Sequence, residues 1–181
     1  MVVNQCIEEV LITEEMINKK CKELGALITK EYEGKTPILI GLLKGCVPFM
    51  AELIKFIDCD IELDFIDVSS YVGTQSTGKL IINKDVESNV SGRHLLLVDD
   101  IIDTGFTLKE IITILKQRGA ASVETVTLLN KPKGRKVNGA EPKYIGYEIP
   151  NRFVVGFGLD YNEIYRNLPY IGVLKKSVYE K

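Results

Sequence analysis

The stretch that decides the fold is LLLVDDIIDTGFTL, residues 95–108. It begins as an apolar run and then carries Asp99, Asp100 and Asp103, just before a Thr-Gly pair. A short apolar run that ends in turn residues predicts a buried strand. Buried carboxylates are costly unless water or a cation lies nearby. We therefore predict a strand over 94–102 whose exit, with its acids, forms part of a ligand site.

The segments on both sides alternate between helical and strand patterns. Helices are predicted over 13–33, where Thr13 precedes two glutamates, over 47–57 and over 107–118. Further strands are predicted over 37–43, 61–71, 80–82, 122–130, 144–149 and 153–157. This order predicts an α/β fold: a mostly parallel twisted sheet flanked by helices, with ligands beyond the carboxyl ends of the strands.

Size and charge narrow the class of protein. With 181 residues, of which 45% are hydrophobic, the chain 1–181 suits a single domain with a substantial core. Its formal net charge of −2 predicts no general attraction to nucleic acid or to an anionic membrane. Acids near the N-terminus do not suit a signal peptide, and no apolar run approaches the length of about 18 residues that a membrane span needs. We expect a cytoplasmic protein.

Other motifs with familiar chemistry are incomplete. Gly34-Lys35-Thr36 lacks the first glycine of a nucleotide P-loop, and Gly156-Phe157-Gly158 lacks the third glycine of a dinucleotide loop. One histidine cannot complete a zinc site with widely spaced cysteines. We expect reduced thiols, most of them in packing positions, at Cys6, Cys21, Cys46 and Cys59.

The residues that follow the acidic strand suit a phosphate. Residues 104–107, Thr-Gly-Phe-Thr, stand at a predicted helix start and offer free N–H groups and two hydroxyls. The neighbouring carboxylates would repel a phosphate unless they hold Mg²⁺ or sugar hydroxyls beside it. The alternative is a solvated strand end with Asp103 capping the helix. An anion cradle beside such acids is typical of a site for a phosphorylated ribose.

Residues 98–107 resemble the 5-phosphoribosyl 1-diphosphate (PRPP) signature of type I phosphoribosyltransferases. The resemblance implies the fold of that family, with a small hood formed by the terminal segments, about 1–12 and 150–181. It assigns PRPP binding to Asp99, Asp100, Asp103, Thr104, Gly105, Phe106 and Thr107. Phe106 departs from relatives with a basic residue there, and we expect at most an altered PRPP affinity.

The stretch RFVVGFGLDYNE, residues 152–163, with its continuation over 166–174, resembles the C-terminal block of hypoxanthine-guanine phosphoribosyltransferases. By that resemblance Phe153 stacks on the purine and the Val154 backbone hydrogen-bonds its edge. Asp160 would bind a second Mg²⁺, directly or through water, apart from the ion at Asp99 and Asp100. Arg166 would meet the diphosphate. A plain core strand would explain the apolar residues of this block but not its acidic and basic ones.

Three more motifs take roles from the same resemblance. Lys44 and Gly45 would bind diphosphate, although a solvated turn explains them in isolation. Lys131 would donate to the exocyclic oxygen of a 6-oxopurine, although a lysine at a strand end is usually a surface residue. Ser70 and Tyr71 would begin a flexible loop that closes over the site, and an exposed hairpin connection is the alternative.

The resemblance implies purine salvage: transfer of the phosphoribosyl group from PRPP to N9 of hypoxanthine, and also of guanine, with Mg²⁺ as cofactor. Asp103 would act as general acid and base at N7. The family resemblance favours a homodimer or homotetramer. A regulator that keeps the PRPP pocket and binds nucleic acid is the alternative. The basic run 131–136 supports it, and the near-neutral charge of the chain argues against it.

Overall fold

The computed structural model describes residues 5–70 and 80–180. Strands and helices alternate along most of the chain. In order they are β1 (Ile7–Ile12), α1 (Glu14–Tyr32), β2 (Ile38–Leu43), α2 (Cys46–Leu53), β3 (Glu62–Ser70), β4 (Leu80–Lys84), β5 (His94–Ile102), α3 (Phe106–Gln117), β6 (Ser122–Asn130), β7 (Tyr144–Glu148), β8 (Val154–Val155), β9 (Ile171–Leu174) and α4 (Lys176–Tyr179).

The main sheet of the described residues has six strands in the order β4-β3-β2-β5-β6-β7. Pairing is parallel from β3 to β7, and β4 joins β3 as an antiparallel edge strand. The carboxyl ends of β2, β5 and β6 therefore meet along one edge, where their following turns can share a site. The predicted α/β fold with a mostly parallel sheet is confirmed.

Helices cover both faces of this sheet, because the central strands are apolar on both sides. In β5, Leu96 and Val98 pack into the core that α1 and α2 complete, whereas Leu95 and Leu97 pack into the core that α3 completes. All four side chains are fully buried. Burial of each contributes about 1.5–3 kcal/mol, so β5 is anchored firmly just before its acidic end.

A second sheet, with the order β1-β9-β8, forms the hood from the two terminal segments. The strands β1 and β9 were not predicted, because IEEVLI lacks a clean alternation of apolar and polar residues and β9 has only four residues. The predicted strand 153–157 is shorter than expected and ends at Val155. Gly156, with φ of +97°, turns the chain there.

The predicted helices have small boundary errors. The N-cap of α1 is Thr13, as expected, and its hydroxyl accepts the N–H of Met16 at 3.3 Å. The second helix ends at Leu53 and continues as a short 3-10 turn, Ile54–Phe56. Helix α3 begins one residue earlier than predicted. The predicted flexible loop falls mostly on 71–79, outside the described residues. Tyr71 is one of the residues that the structure does not describe.

The described residues include all four cysteines, and none of them forms a disulfide. Cys21 and Cys46 are buried, whereas Cys6 and Cys59 are partly exposed, so only half of them fit the expectation of buried packing residues. Within residues 5–70 and 80–180, no helix has the length and apolar character that a membrane crossing requires.

Candidate active site

The end of β5 extends past its neighbour β2. Pairing with β6 continues to Ile102, but pairing with β2 stops at Val98. Asp99 and Asp100 are therefore part of the strand itself, on a stretch that lies beside the turn after β2. That turn contains Gly45, where a Cβ atom would collide with Oδ2 of Asp100. Only glycine allows the turn to approach the carboxylate so closely.

Asp99 and Asp100 are adjacent, partly buried carboxylates. Burial raises the pKa of Asp99 well above its usual range, and the charge of Asp100 raises it further. Burial also raises the pKa of Asp100, against the opposing effects of hydrogen bonds, including one from the Ile101 N–H at 2.9 Å, and of the nearby Arg166 charge. The pair therefore carries unfavourable negative charge that a bound cation would relieve.

These two carboxylates fit Mg²⁺, which prefers hard oxygen ligands. In the described part of the chain, no group of three or more acidic, histidine or cysteine side chains could hold a metal ion by itself. Mg²⁺ usually binds through one or two carboxylates and completes its shell with water and substrate phosphates. The donor set at Asp99 and Asp100 therefore suits an ion that arrives together with a phosphorylated substrate.

The turn after β5 leaves the start of α3 without a side-chain cap. The N-cap is Gly105, with φ of +83°, and no side chain bonds to the first turn. The alternative in which Asp103 caps this helix is therefore wrong. Uncapped N–H groups at a helix start bind anions well. A pocket beside them is lined by Asp99, Asp103, Thr104, Gly105 and Thr107, whereas Phe106 is half exposed.

Asp103 lies between the ends of β5 and β6. Its carboxylate is 3.5 Å from Nζ of Lys131, whose main-chain N–H donates to Ile102 at 3.0 Å. Lys131 is only 7% exposed, so the alternative of an ordinary surface lysine is wrong. A Cβ atom at Gly134 would collide with Oδ1 of Asp103, so glycine lets the chain pass close to the acid. We refer to Asp99, Asp100, Asp103 and Lys131 as the strand-tip cluster.

The basic run 131–136 does not present all four of its cations to solvent. Lys131 is buried, and Arg135 donates to Oδ1 of Asn130 at 2.6 Å. A second guanidinium nitrogen of Arg135, Nη1, is buried without a partner, and a Cβ atom at Gly105 would lie 3.0 Å from it. Arg135 thus packs against the turn before α3 at Gly105. This inward orientation weakens the alternative of a nucleic-acid-binding regulator.

Two tight turns shape the chain around Asp160. Gly156 and Leu159 exchange backbone hydrogen bonds, and Tyr161 and Ile164 do the same. In both turns the two central residues have positive φ, as in type I′ turns. Gly158, with φ of +100°, lies so close to Gly45 that a Cβ atom on Gly158 would collide with the carbonyl oxygen of Gly45. The C-terminal turns are thereby packed against the turn after β2.

Arg166 gathers a second cluster at this contact. Its guanidinium donates to the Gly158 carbonyl at 2.7 Å and pairs with Asp160 at 2.9 Å. Glu163 lies 3.3 Å from Arg166 and 3.2 Å from Nζ of Lys44, and these two cations lower its pKa. We refer to Lys44, Asp160, Glu163 and Arg166 as the turn cluster. The sequence gives no signal for this role of Glu163, because the rule for ion pairs three residues apart applies to helices and residues 160–166 form turns.

Phe153 lies in the hood. Its ring stacks on Tyr179 of α4 at 4.9 Å between centroids and meets the edge of Tyr161 at 5.7 Å. Val154 follows on β8, an edge strand of the hood sheet, so one side of its backbone faces away from β9. In residues 5–70 and 80–180, no hydrogen bond, ion pair or ring contact joins Phe153 to either cluster. Its contact with a purine stays a prediction.

Comparison with known proteins gives the family. The model of the phosphoribosyl transferase domain matches residues 9–162. The hypoxanthine-guanine phosphoribosyltransferase of Lactococcus lactis is 58% identical over 180 residues, which cover 99% of this chain and 97% of the relative. That of Bacillus subtilis is 55% identical over 175 residues, covering 96% of this chain and 97% of the relative.

Solved structures give the same result. A hypoxanthine phosphoribosyltransferase from Staphylococcus aureus matches with a TM-score of 0.94 and 52% identity, covering 97% of this chain and 96% of that one. The enzyme from Trypanosoma cruzi, in complex with the product IMP, matches with a TM-score of 0.93 and 36% identity, covering 99% and 100%. The chain therefore belongs to the phosphoribosyltransferase family, among its hypoxanthine-guanine phosphoribosyltransferases.

Proposed function

We propose that the protein is a purine-salvage enzyme that transfers the 5-phosphoribosyl group of PRPP to N9 of hypoxanthine or guanine. The products are IMP or GMP and diphosphate. The single observation that carries this proposal is the strand-tip cluster, in which Asp103 and the buried Lys131 meet at 3.5 Å beside an uncapped helix start. The family membership supports the same reaction.

The ribose phosphate binds at the turn before α3. The N–H groups of that turn and the hydroxyls of Thr104 and Thr107 hold the 5-phosphate. Asp99 and Asp100 would bind the ribose hydroxyls and one Mg²⁺, and Asp160 would bind a second Mg²⁺, directly or through water. When bound, Mg²⁺ stabilises the negative charge of the departing diphosphate. Lys44 and Arg166 contribute fixed positive charge to the same leaving group, with the Gly45 turn beside it.

Asp103 and Lys131 bind one edge of the purine. N7 and O6 are neighbours on that edge of guanine, and hypoxanthine shares them; both are acceptors once the nucleotide has formed. Lys131 donates to O6, while Asp103 takes the proton that leaves N7 as N9 attacks the sugar. The Asp103 carboxylate lies 3.5 Å from Nζ of Lys131, so the two groups can reach the same purine edge together.

Phe153 and Val154 complete the base site in this proposal. The Phe153 ring stacks on the purine with the face opposite to Tyr179, and the outward backbone of Val154 bonds to the purine edge. We also infer a homodimer or homotetramer, which light scattering of the purified protein tests. A cytoplasmic location is proposed as well, since cysteines that form no disulfide suit a reducing compartment.

The test measures initial rates with hypoxanthine, guanine, xanthine and adenine at saturating PRPP and Mg²⁺, with the products identified by mass spectrometry. We expect IMP from hypoxanthine and GMP from guanine, and no turnover of adenine, which has no O6 for Lys131. Chelation of Mg²⁺ should abolish the reaction, and added Mg²⁺ should restore it. Failure to form nucleotide from both hypoxanthine and guanine would refute the proposed function.

A further inference from the structure

The carboxylate of Glu163 bridges two cations. Its oxygens lie 3.2 Å from Nζ of Lys44 and 3.3 Å from Nη2 of Arg166. Lys44 has no other ion-pair partner within residues 5–70 and 80–180, and it stands on a different turn from Arg166. These are the two side chains that the proposed function assigns to the diphosphate. An acid of the protein thus occupies the position where the diphosphate would be held.

Glu163 can leave this position without moving its neighbours. Its side chain is 64% exposed and that of Lys44 is 65% exposed, so packing holds neither of them. The main chain of Glu163 is fixed separately, because its N–H donates to Asp160 at 2.9 Å. Rotation of the carboxylate into solvent therefore breaks two exposed ion pairs and leaves the turn intact.

Arg166 stays in place when Glu163 leaves. It is only 27% exposed, donates to the Gly158 carbonyl at 2.7 Å and pairs with Asp160 at 2.9 Å. Its Nη2 would stay paired with Asp160 and would lose only the contact with Glu163, on the side next to Lys44. A diphosphate, with more charge and more acceptor oxygens than a carboxylate, can replace Glu163 at both cations.

We propose that Glu163 is an internal competitor of diphosphate: it holds Lys44 and Arg166 in the free enzyme and weakens the binding of diphosphate, both as product and as part of PRPP. This role rests on the proposed function, because it assigns a regulator to the same site. Exposed ion pairs are individually weak, so the competition is modest. Its loss should strengthen diphosphate binding about three- to tenfold.

The experiment titrates inorganic diphosphate into the intact protein at a fixed Mg²⁺ concentration by calorimetry. The variants are Glu163→Gln, which removes the charge, and Glu163→Ala, which removes the whole carboxylate group. Both should lower the Kd for diphosphate about three- to tenfold and the KM for PRPP by a similar factor. The Kd for IMP should not change, since IMP carries no diphosphate.

A matched control separates local competition from a general change of charge. Glu31 is also an exposed acid, paired with Lys143 at 3.0 Å and outside both clusters, so Glu31→Gln alters net charge equally. It should leave the Kd for diphosphate unchanged. The role of Glu163 is overturned if Glu31→Gln strengthens diphosphate binding as much as Glu163→Gln does. It is also overturned if Glu163→Gln still forms nucleotide but binds diphosphate no more tightly than the wild type. A wild-type protein that forms no nucleotide refutes instead the proposed function on which this role depends.

Discussion

The strand-tip cluster and the turn cluster are held in place by different means. Asp99 and Asp100 lie at the end of β5 and Asp103 follows it, after four apolar side chains that are fully buried, and Lys131 follows the neighbouring strand in register. The turn cluster depends on two tight turns, and Lys44 and Glu163 in it are largely exposed. In the proposed function, the sheet thus carries the groups that are positioned rigidly for chemistry. The turns carry the groups that would exchange partners as diphosphate binds and leaves.

The largest expected effect is a fall in kcat when the strand-tip cluster is changed. Asp103→Asn keeps the size of the side chain but removes the base, so kcat should fall about 10²- to 10⁴-fold. The KM for PRPP should change little, because the backbone N–H groups of the turn before α3, which hold the 5-phosphate in the proposed function, remain. Steady-state kinetics with hypoxanthine measure both values. Unchanged turnover would show that another group manages the N7 proton.

The contact between Gly158 and the turn after β2 should give the next largest effect, on the KM for PRPP and on stability. In Gly158→Ala, a Cβ atom would collide with the Gly45 carbonyl at a backbone with φ of +100°. The turns must then separate, which moves Arg166 away from Lys44. We expect the KM for PRPP to rise about tenfold or more, together with a loss of about 1–3 kcal/mol in unfolding free energy.

Gly34→Ala is the control for this variant. Gly34 also has positive φ, +73°, but the space around its missing Cβ atom is open. It should lose about 1–2 kcal/mol from backbone strain alone and keep the wild-type KM for PRPP. If both variants raise this KM equally, the contact between Gly158 and Gly45 does not position the turn cluster.

The contrast between a buried strand and exposed turns also explains which parts of the fold and of the site could be predicted from the sequence. Continuous apolar strands and amphipathic helices predict the α/β fold, because burial of β5 dictates its pattern. The hood strands β1 and β9 escaped prediction, since IEEVLI is only partly buried and β9 is short. The positions of Asp99 and Asp103 could be inferred from the strand exit. The bridge of Glu163 could not, because it depends on two left-handed turns that bring distant residues together.

A smaller effect, on the affinity for the base, is expected at the stack of Phe153 on Tyr179, which belongs to neither cluster. Tyr179→Ala removes the ring that stacks on Phe153 at 4.9 Å. Such a stack contributes about 0.5–1.5 kcal/mol, so the KM for hypoxanthine should rise about two- to tenfold. The values of kcat and of the KM for PRPP should stay near wild type, and Tyr179→Phe should restore the KM for hypoxanthine. A Tyr179→Ala enzyme with unchanged affinity for hypoxanthine would argue against Phe153 as the purine platform.

The smallest expected effect is a change in stability when Asp99 is replaced. The sign of this change tests whether the rigidly held carboxylates oppose folding. Burial and the neighbouring Asp100 raise the pKa of Asp99 in the folded protein. Between the unfolded pKa, about 4, and this raised value, the folded state binds more protons than the unfolded state. The unfolding free energy therefore falls as pH rises through that window, and it stays reduced at neutral pH.

Asparagine cannot ionise, so Asp99→Asn should avoid this loss. In metal-free buffer at pH 7 its Tm should exceed that of the wild type by about 2–4 °C, and the difference should shrink as the pH approaches 4. Asp60→Asn, at an exposed acid, should leave Tm unchanged. Mg²⁺ and PRPP together should raise the Tm of the wild type more than that of Asp99→Asn, because only the wild type has the full carboxylate pair for the cation. If Asp99→Asn is less stable than the wild type in metal-free buffer, the paired carboxylates do not oppose folding.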